Sequence, residues 1–147
     1  MKILKTEITQ ISSHQSLKTK EFTTCQVDVL FSLLLAMKES DSNIRNYSFT
    51  IAEIERLTDR NWSWNELQEA TERIGSRMIV IETDEFIKQM WAFSRVLFMK
   101  DKSYFTIYLN PDCRPYLIRL KSKINTIPEL KQIVYLKDPP PGEKRPN

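Results

Sequence analysis

Two hydrophobic periods divide the chain. In VDVLFSLLLAM (27–37), Val27, Leu30, Leu34 and Met37 recur on one helical face and Val29, Leu33 and Ala36 on another. A helix that is apolar on most sides is buried on most sides, so this segment is expected to be the central core helix. Thr23, with Gln26 three residues on, forms a capping box that opens it. SDSN closes it, and YSFT (47–50) reads as a short strand. Two short amphipathic helices follow. Thr50 and Glu53 cap the first, whose apolar side is Ile51, Ile54 and Leu57; DRN is the turn. Ser63 and Glu66 cap the second, in which Trp64, Leu67, Thr71 and Ile74 make one stripe, and Gly75 is expected to end it as a left-handed cap.

Beyond Gly75 the period shortens to two. RMIVIE (77–82), KQMWAFSRVLFM (88–99) and SYFTIYL (103–109) read as strands, with KDK (100–102) at a hairpin tip. In the middle strand Trp91, Phe93 and Leu97 project to one side and Ala92, Val96 and Phe98 to the other. A hairpin apolar on both faces needs a cover on each, from helices or from a second subunit, and a dimer is the expectation. A last helix starts near PDCRPYLIRLKSK, with Asp112 as its cap and Pro115 in its first turn. The order is helix, short strand, two helices, antiparallel strand hairpin, C-terminal helix. That predicts an α+β winged helix over residues 23–123, preceded by an N-terminal arm (1–22) and followed by a divergent, disordered tail (124–147) ending in proline-rich, charged DPPPGEKRPN.

Composition narrows the chemistry. At 147 residues, 41% hydrophobic and 28% charged, the chain suits one soluble domain. Only Gly75 and Gly142 occur, too few for a phosphate-cradling loop. The single histidine, His14, cannot supply a metal-binding pair, and no Cys/His spacing suits zinc. Glu53/Glu55 and Glu66/Glu69/Glu72 read as solvated helix faces. The expectation is therefore no enzyme, no cofactor and no metal. Cys25 and Cys113 stand far apart, as reduced cysteines of a cytoplasmic protein do. MKILKTEITQ lacks the apolar stretch of a secretory leader, and the longest apolar run has 11 residues, short of the ~20 that span a bilayer. No membrane association is expected.

The net charge of +3 matters less than where the charge lies. Over 59–77, Arg60, Arg73 and Arg77 stand against Asp59, Glu66, Glu69 and Glu72, 3 − 4 = −1. A helix so charged is a poor reader of bases in a groove walled by phosphates, and its expected task is packing. Over 95–123, Arg95, Lys100, Lys102, Arg114, Arg119, Lys121 and Lys123 stand against Asp101 and Asp112, 7 − 2 = +5. Lys100 and Lys102 on the hairpin tip, with Arg114, Arg119, Lys121 and Lys123 on the last helix, are the candidate phosphate contacts, a grip that reads no sequence.

SFTIAEIERLTDRNW, LQEATERIGSRMIVI, WAFSRVLF and YFTIYLNPDCRPYLIRLKSK, in this order and spacing, resemble the first winged-helix domain of the replication initiator (Rep) family of iteron-containing bacterial plasmids, across roughly residues 22–123. The resemblance implies a non-enzymatic initiator of plasmid DNA replication in which a second winged helix reads the origin repeats. The first then dimerises and adds backbone contacts. By position it places a dimer surface at Trp91, Phe93, Arg95, Leu97, Tyr104, Thr106 and Tyr108. Implied partners are plasmid origin DNA, a second copy, a full-length initiator and host replication proteins. After RLKSK the sequence departs from the family pattern into INTIPELKQIVYLKDPPPGEKRPN, where the second domain is expected. Two alternatives stay open: a stand-alone winged-helix regulator reading bases through Gln68 and Arg73, or a shortened initiator that sequesters the full-length one in mixed dimers.

Overall fold

The computed structural model describes residues 22–134; residues 1–21 of the expected arm (1–22) and the end of the tail (135–147) lie outside the described residues, and Phe22, the last residue of that arm, is buried in the core. Helix α1 (Thr24–Ala36) runs through the core with ten of its thirteen residues buried, as its two apolar faces require. Half of its expected capping box is present. Thr23 accepts from the Gln26 backbone, but the Gln26 side chain instead accepts from Arg77 Nη2 at 2.9 Å. Strand β1 (Asn46–Phe49) leads into α2 (Ile51–Thr58) and α3 (Trp64–Gly75), each opened by a complete capping box, Thr50/Glu53 and Ser63/Glu66. Asp59 closes α2 in the left-handed region at φ 61°, a conformation that aspartate tolerates better than most residues.

The strands depart from the simple hairpin. The expected strand over 88–99 breaks at Ala92 into β3 (Ile87–Trp91) and β4 (Phe93–Phe98). Strand β3 pairs only with β2 (Met78–Glu82), forming a separate two-stranded ribbon. Strand β4 pairs with β5 (Phe105–Leu109), which pairs with β1, in the order β1-β5-β4. That order is the winged-helix sheet, with Lys100–Lys102 at the wing tip and the ribbon inserted between α3 and the wing. A register shift between Phe93 and Arg95 ends the simple alternation there. Ala92 and Phe93, which simple alternation sets on opposite faces, are both buried.

Gly75 has no positive φ, and Ser76 caps α3 in right-handed geometry, so the expected left-handed glycine cap is absent. The glycine serves close approach instead, because a Cβ there would lie 3.2 Å from Phe93 Cδ2. Edge-to-face contact of Trp64 with Phe98 (5.1 Å) and stacking of Phe98 on Phe105 (4.7 Å) then fasten the wing to α3. Such pairs contribute about 0.5–1.5 kcal/mol each beyond their burial.

After β5 the cap is Asn110, not the expected Asp112; its side chain accepts from the Asp112 backbone and opens the 3-10 turn Pro111–Cys113 that leads into α4 (Arg114–Lys121). Pro115 sits in the first turn of α4 as expected. Residues 124–134 are not a disordered tail. Ile127–Val134 form helix α5, and Ile124 and Leu130 join the core. Glu129 Oε1 accepts from the Asn125 and Thr126 backbones, and Thr126 Oγ1 accepts from the Glu129 backbone. This is a third capping box, with Pro128 in the first turn.

Candidate nucleic-acid interface

The wing tip is built by its own hydrogen bonds. Lys102 N–H donates to the Met99 carbonyl at 2.9 Å, and Asp101 Oδ1 accepts from the Ser103 backbone (2.9 Å) and hydroxyl (2.5 Å). The hydroxyl bond, then the backbone bond, hold the Asp101 carboxyl below the usual carboxylate range. The acid of the KDK tip is thereby spent on the turn. Lys100 and Lys102 stand exposed with no ion pair or side-chain hydrogen bond among the described residues. Lys102 holds φ 63°, a left-handed conformation that costs a side chain roughly 1–2 kcal/mol and that glycine takes freely. Lys102→Gly is therefore expected to raise stability in urea unfolding by about 1 kcal/mol. The same change should lower affinity for duplex DNA several-fold, because the ammonium group is what the strained position supplies.

The last helix does not extend this cationic tip. Arg114 is 4% exposed, donating from Nη1 to the Tyr47 hydroxyl (2.6 Å) and from Nη2 to the Arg45 carbonyl (2.9 Å). Tyr47 in turn donates to Asp41 (2.7 Å), and this bond, with the Lys38 backbone bond next, holds the Asp41 carboxyl below its ordinary range. Arg114 is a buried tie between α4 and the start of β1 and, contrary to expectation, is not free to contact phosphate. Lys121 donates to the Leu35 and Met37 carbonyls and so satisfies the open end of α1. Arg119 is half-buried and Lys123 exposed. Arg119 lies on α4 and Lys123 just after it. With Arg114 buried and Lys121 engaged at the end of α1, the six candidate cations are not all free to contact phosphate.

Helix α3 presents Asn65, Gln68, Glu69, Glu72 and Arg73 to solvent. Arg73 is paired with Glu69 at 3.5 Å, and Glu66 is engaged in its cap at 2.8 Å. Its outward side is neutral to acidic, in keeping with the charge count.

The seven residues expected at a dimer surface separate into three groups. Phe93 and Thr106 are buried, Thr106 bonded to Ser48 across the strands at 2.7 Å, so neither is a free interface residue. On the outer face of the wing sheet stand Leu97 (46% exposed), Tyr104 (39% exposed), Arg95 and Tyr108, with the Arg95 guanidinium 4.0 Å from the centre of the Tyr108 ring. Trp91, 49% exposed, belongs to the ribbon, opposite Met78. Val80, Glu82, Gln89 and Ile87 (64% exposed) share that outer side by register, and Ile79, Ile81 and Met90 are buried on the inner one. Reading β3 and β4 as one strand left Met78, Val80 and Ile87 off the expected surface, although they share the outer side of the ribbon with Trp91. The signal available was the alternation within MIVIE and IKQMW.

No described group of His, Cys, Asp and Glu is arranged to hold a metal ion. The Cys113 thiol, buried against apolar side chains, is pushed up to about 12 and is not a nucleophile at neutral pH. No helix among the described residues is long and apolar enough to cross a membrane.

No curated protein matches this chain. Among solved structures, the chain is similar to the crystal structure of the MSBI1.176 WH1 domain, a replication protein isolated from a multiple sclerosis patient. The TM-score is 0.59 at 12% identity, over 84% of this chain and 98% of that one, a likeness of fold. Residues 7–139 match the family model described as Initiator Replication protein, WH1, and that span includes helix α5. The chain therefore belongs to the WH1 family of replication initiator proteins.

Proposed function

We propose that this winged helix serves plasmid replication initiation as a self-associating domain that grips the DNA backbone through its wing tip and leaves base reading to another winged helix. The observation that carries this is the contrast between the two elements a winged helix offers to DNA. The tip has two unpaired lysines and an acid consumed by its own turn. Helix α3 turns outward Glu69, Glu72 and a self-paired Arg73. Phosphate neutralisation releases counterions and makes affinity fall with salt, so the grip has a measurable signature.

Binding to a 20-base-pair duplex, titrated across salt concentrations, tests it. Replacing both Lys100 and Lys102 with alanine is expected to reduce the log–log salt slope by about 1.8, from ~0.9 per phosphate contact, equally for all sequences. Replacing Gln68 and Arg73 with alanine should leave binding unchanged. The reverse pattern, with sequence preference lost on changing Gln68 and Arg73, would establish instead a stand-alone regulator that reads bases through α3.

Self-association is assigned to the ribbon rather than to the wing. Its outer side carries Met78, Val80, Ile87 and Trp91 with a single charge, Glu82. Asp84 and Glu85 at its turn make it unsuitable for DNA. A two-fold axis through the central Val80–Gln89 pair lays Trp91 of one copy over Ile87 of the other, and keeps the two Glu82 carboxylates at opposite ends.

A further inference from the structure

We propose that the outer face of the wing sheet is a stacking platform for single-stranded DNA, continuous with the lysines of the wing tip. The inference rests on the reading of the tip as a phosphate grip and adds a second ligand form to it. Three observations carry it. First, strands β1, β4 and β5 (NYSF, FSRVLF and FTIYL) contain no acidic residue, and from Phe93 to Leu109 the charge is Arg95, Lys100 and Lys102 against Asp101, 3 − 1 = +2. Second, register sets Thr106 and Tyr108 of β5 on one side with Arg95 and Leu97 of β4 and Asn46 and Ser48 of β1, and Tyr104, just before β5 and exposed, continues their alternation. Third, the polar groups there are small and neutral: Ser48 and Thr106 hydroxyls bonded to each other, and an exposed Asn46.

This is a composition suited to bases rather than to a dry protein contact. Tyr104 offers a ring face, and Arg95, seated on Tyr108, offers a guanidinium plane; bases stack on both kinds of surface. Tyr104 and Tyr108 are four residues apart on an extended strand, about 13–14 Å, with Leu97 opposite Thr106 between them. A sheet with such spacing accommodates roughly two or three splayed bases. Lys100 and Lys102, next to Tyr104 in the chain, lie where the sugar–phosphate backbone leaves the sheet. A duplex cannot use this face, because its bases are already stacked and paired.

The test compares a fluorescent 15-nucleotide oligothymidylate with the 20-base-pair duplex, by anisotropy at fixed salt. Tyr104→Ala is expected to weaken oligothymidylate binding roughly tenfold, with Arg95→Ala comparable, while duplex affinity changes less than twofold. Tyr104→Phe should keep the binding. Tyr104 is exposed, so these variants retain the fold, which thermal unfolding checks. The Lys100→Ala/Lys102→Ala variant weakens both ligands if the tip reading holds. Loss of both on changing the lysines with no effect of Tyr104→Ala would overturn the platform and leave the grip standing. No effect on duplex affinity from the lysine changes would fail the grip alone. Undetectable oligothymidylate binding, or dissociation of a dimer by Tyr104→Ala, would overturn the platform, the latter by showing the face to be a protein interface.

Discussion

Asp28→Ala is expected to lower the unfolding free energy by about 3–5 kcal/mol, the cost of breaking one side of a buried ion pair. Asp28 is fully buried in the middle of α1. It accepts from Arg60 Nε at 2.7 Å, Arg60 Nη2 at 3.0 Å and Trp62 Nε1 at 2.7 Å. Donation to the Asp28 carboxylate is the main cause that raises the Arg60 pKa. These donors belong to the turn between α2 and α3, so one carboxylate fixes the helix–turn–helix onto the core helix. Without it, Arg60, whose side chain is 27% exposed, can swing toward water, but Trp62 is buried and cannot. That difference favours the lower end of the range. Urea unfolding of Asp28→Ala, Arg60→Ala and the double variant measures the coupling, and a cost for Asp28→Ala below about 1 kcal/mol would refute the clamp.

Asp28 also shows how legibility divides in this sequence. The apolar run around it marks α1 as central, and local devices (Thr50/Glu53, Ser63/Glu66, the stripe of α3) are contained within a few residues, so both helices are readable. The partners of Asp28 lie 32 and 34 residues away, and no local pattern links them. The same holds for Arg114, which on its helix face resembles a phosphate contact. Tyr47, 67 residues distant, makes it a structural tie. The ribbon was hidden differently, because a continuous β-like pattern across Ala92 conceals a change of sheet. Helix α5 was legible but passed over: TIPE carries a capping box and a first-turn proline, while the proline-rich end beyond it drew the whole stretch toward disorder. At the candidate interface, charge counting singles out Lys100 and Lys102, and the structure leaves both exposed. Only the register separates the Arg95–Tyr108 stack from Trp91.

Trp91→Ala is expected to weaken self-association at least 30-fold, the effect of losing a tryptophan hot spot worth about 2 kcal/mol or more. The monomer should lose little stability, because half of the side chain is already exposed. Sedimentation equilibrium gives the first quantity and urea unfolding of the dilute protein the second. Ile87→Lys sharpens the test. In the two-fold arrangement Ile87 lies against Trp91 of the other copy, so the lysine places two ammonium groups in the apolar patch and should leave a monomer. Leu97→Lys on the wing sheet is the contrasting change. It adds the same charge at a residue about as exposed as Trp91 (46% against 49%), yet should leave the dimer intact. Dissociation by Leu97→Lys but not by Ile87→Lys would move the interface to the wing and remove the distinction between a ribbon for protein and a wing for DNA. If the ribbon is the interface, a dimer keeps its two wing tips free, and association and backbone contact are not mutually exclusive on this domain.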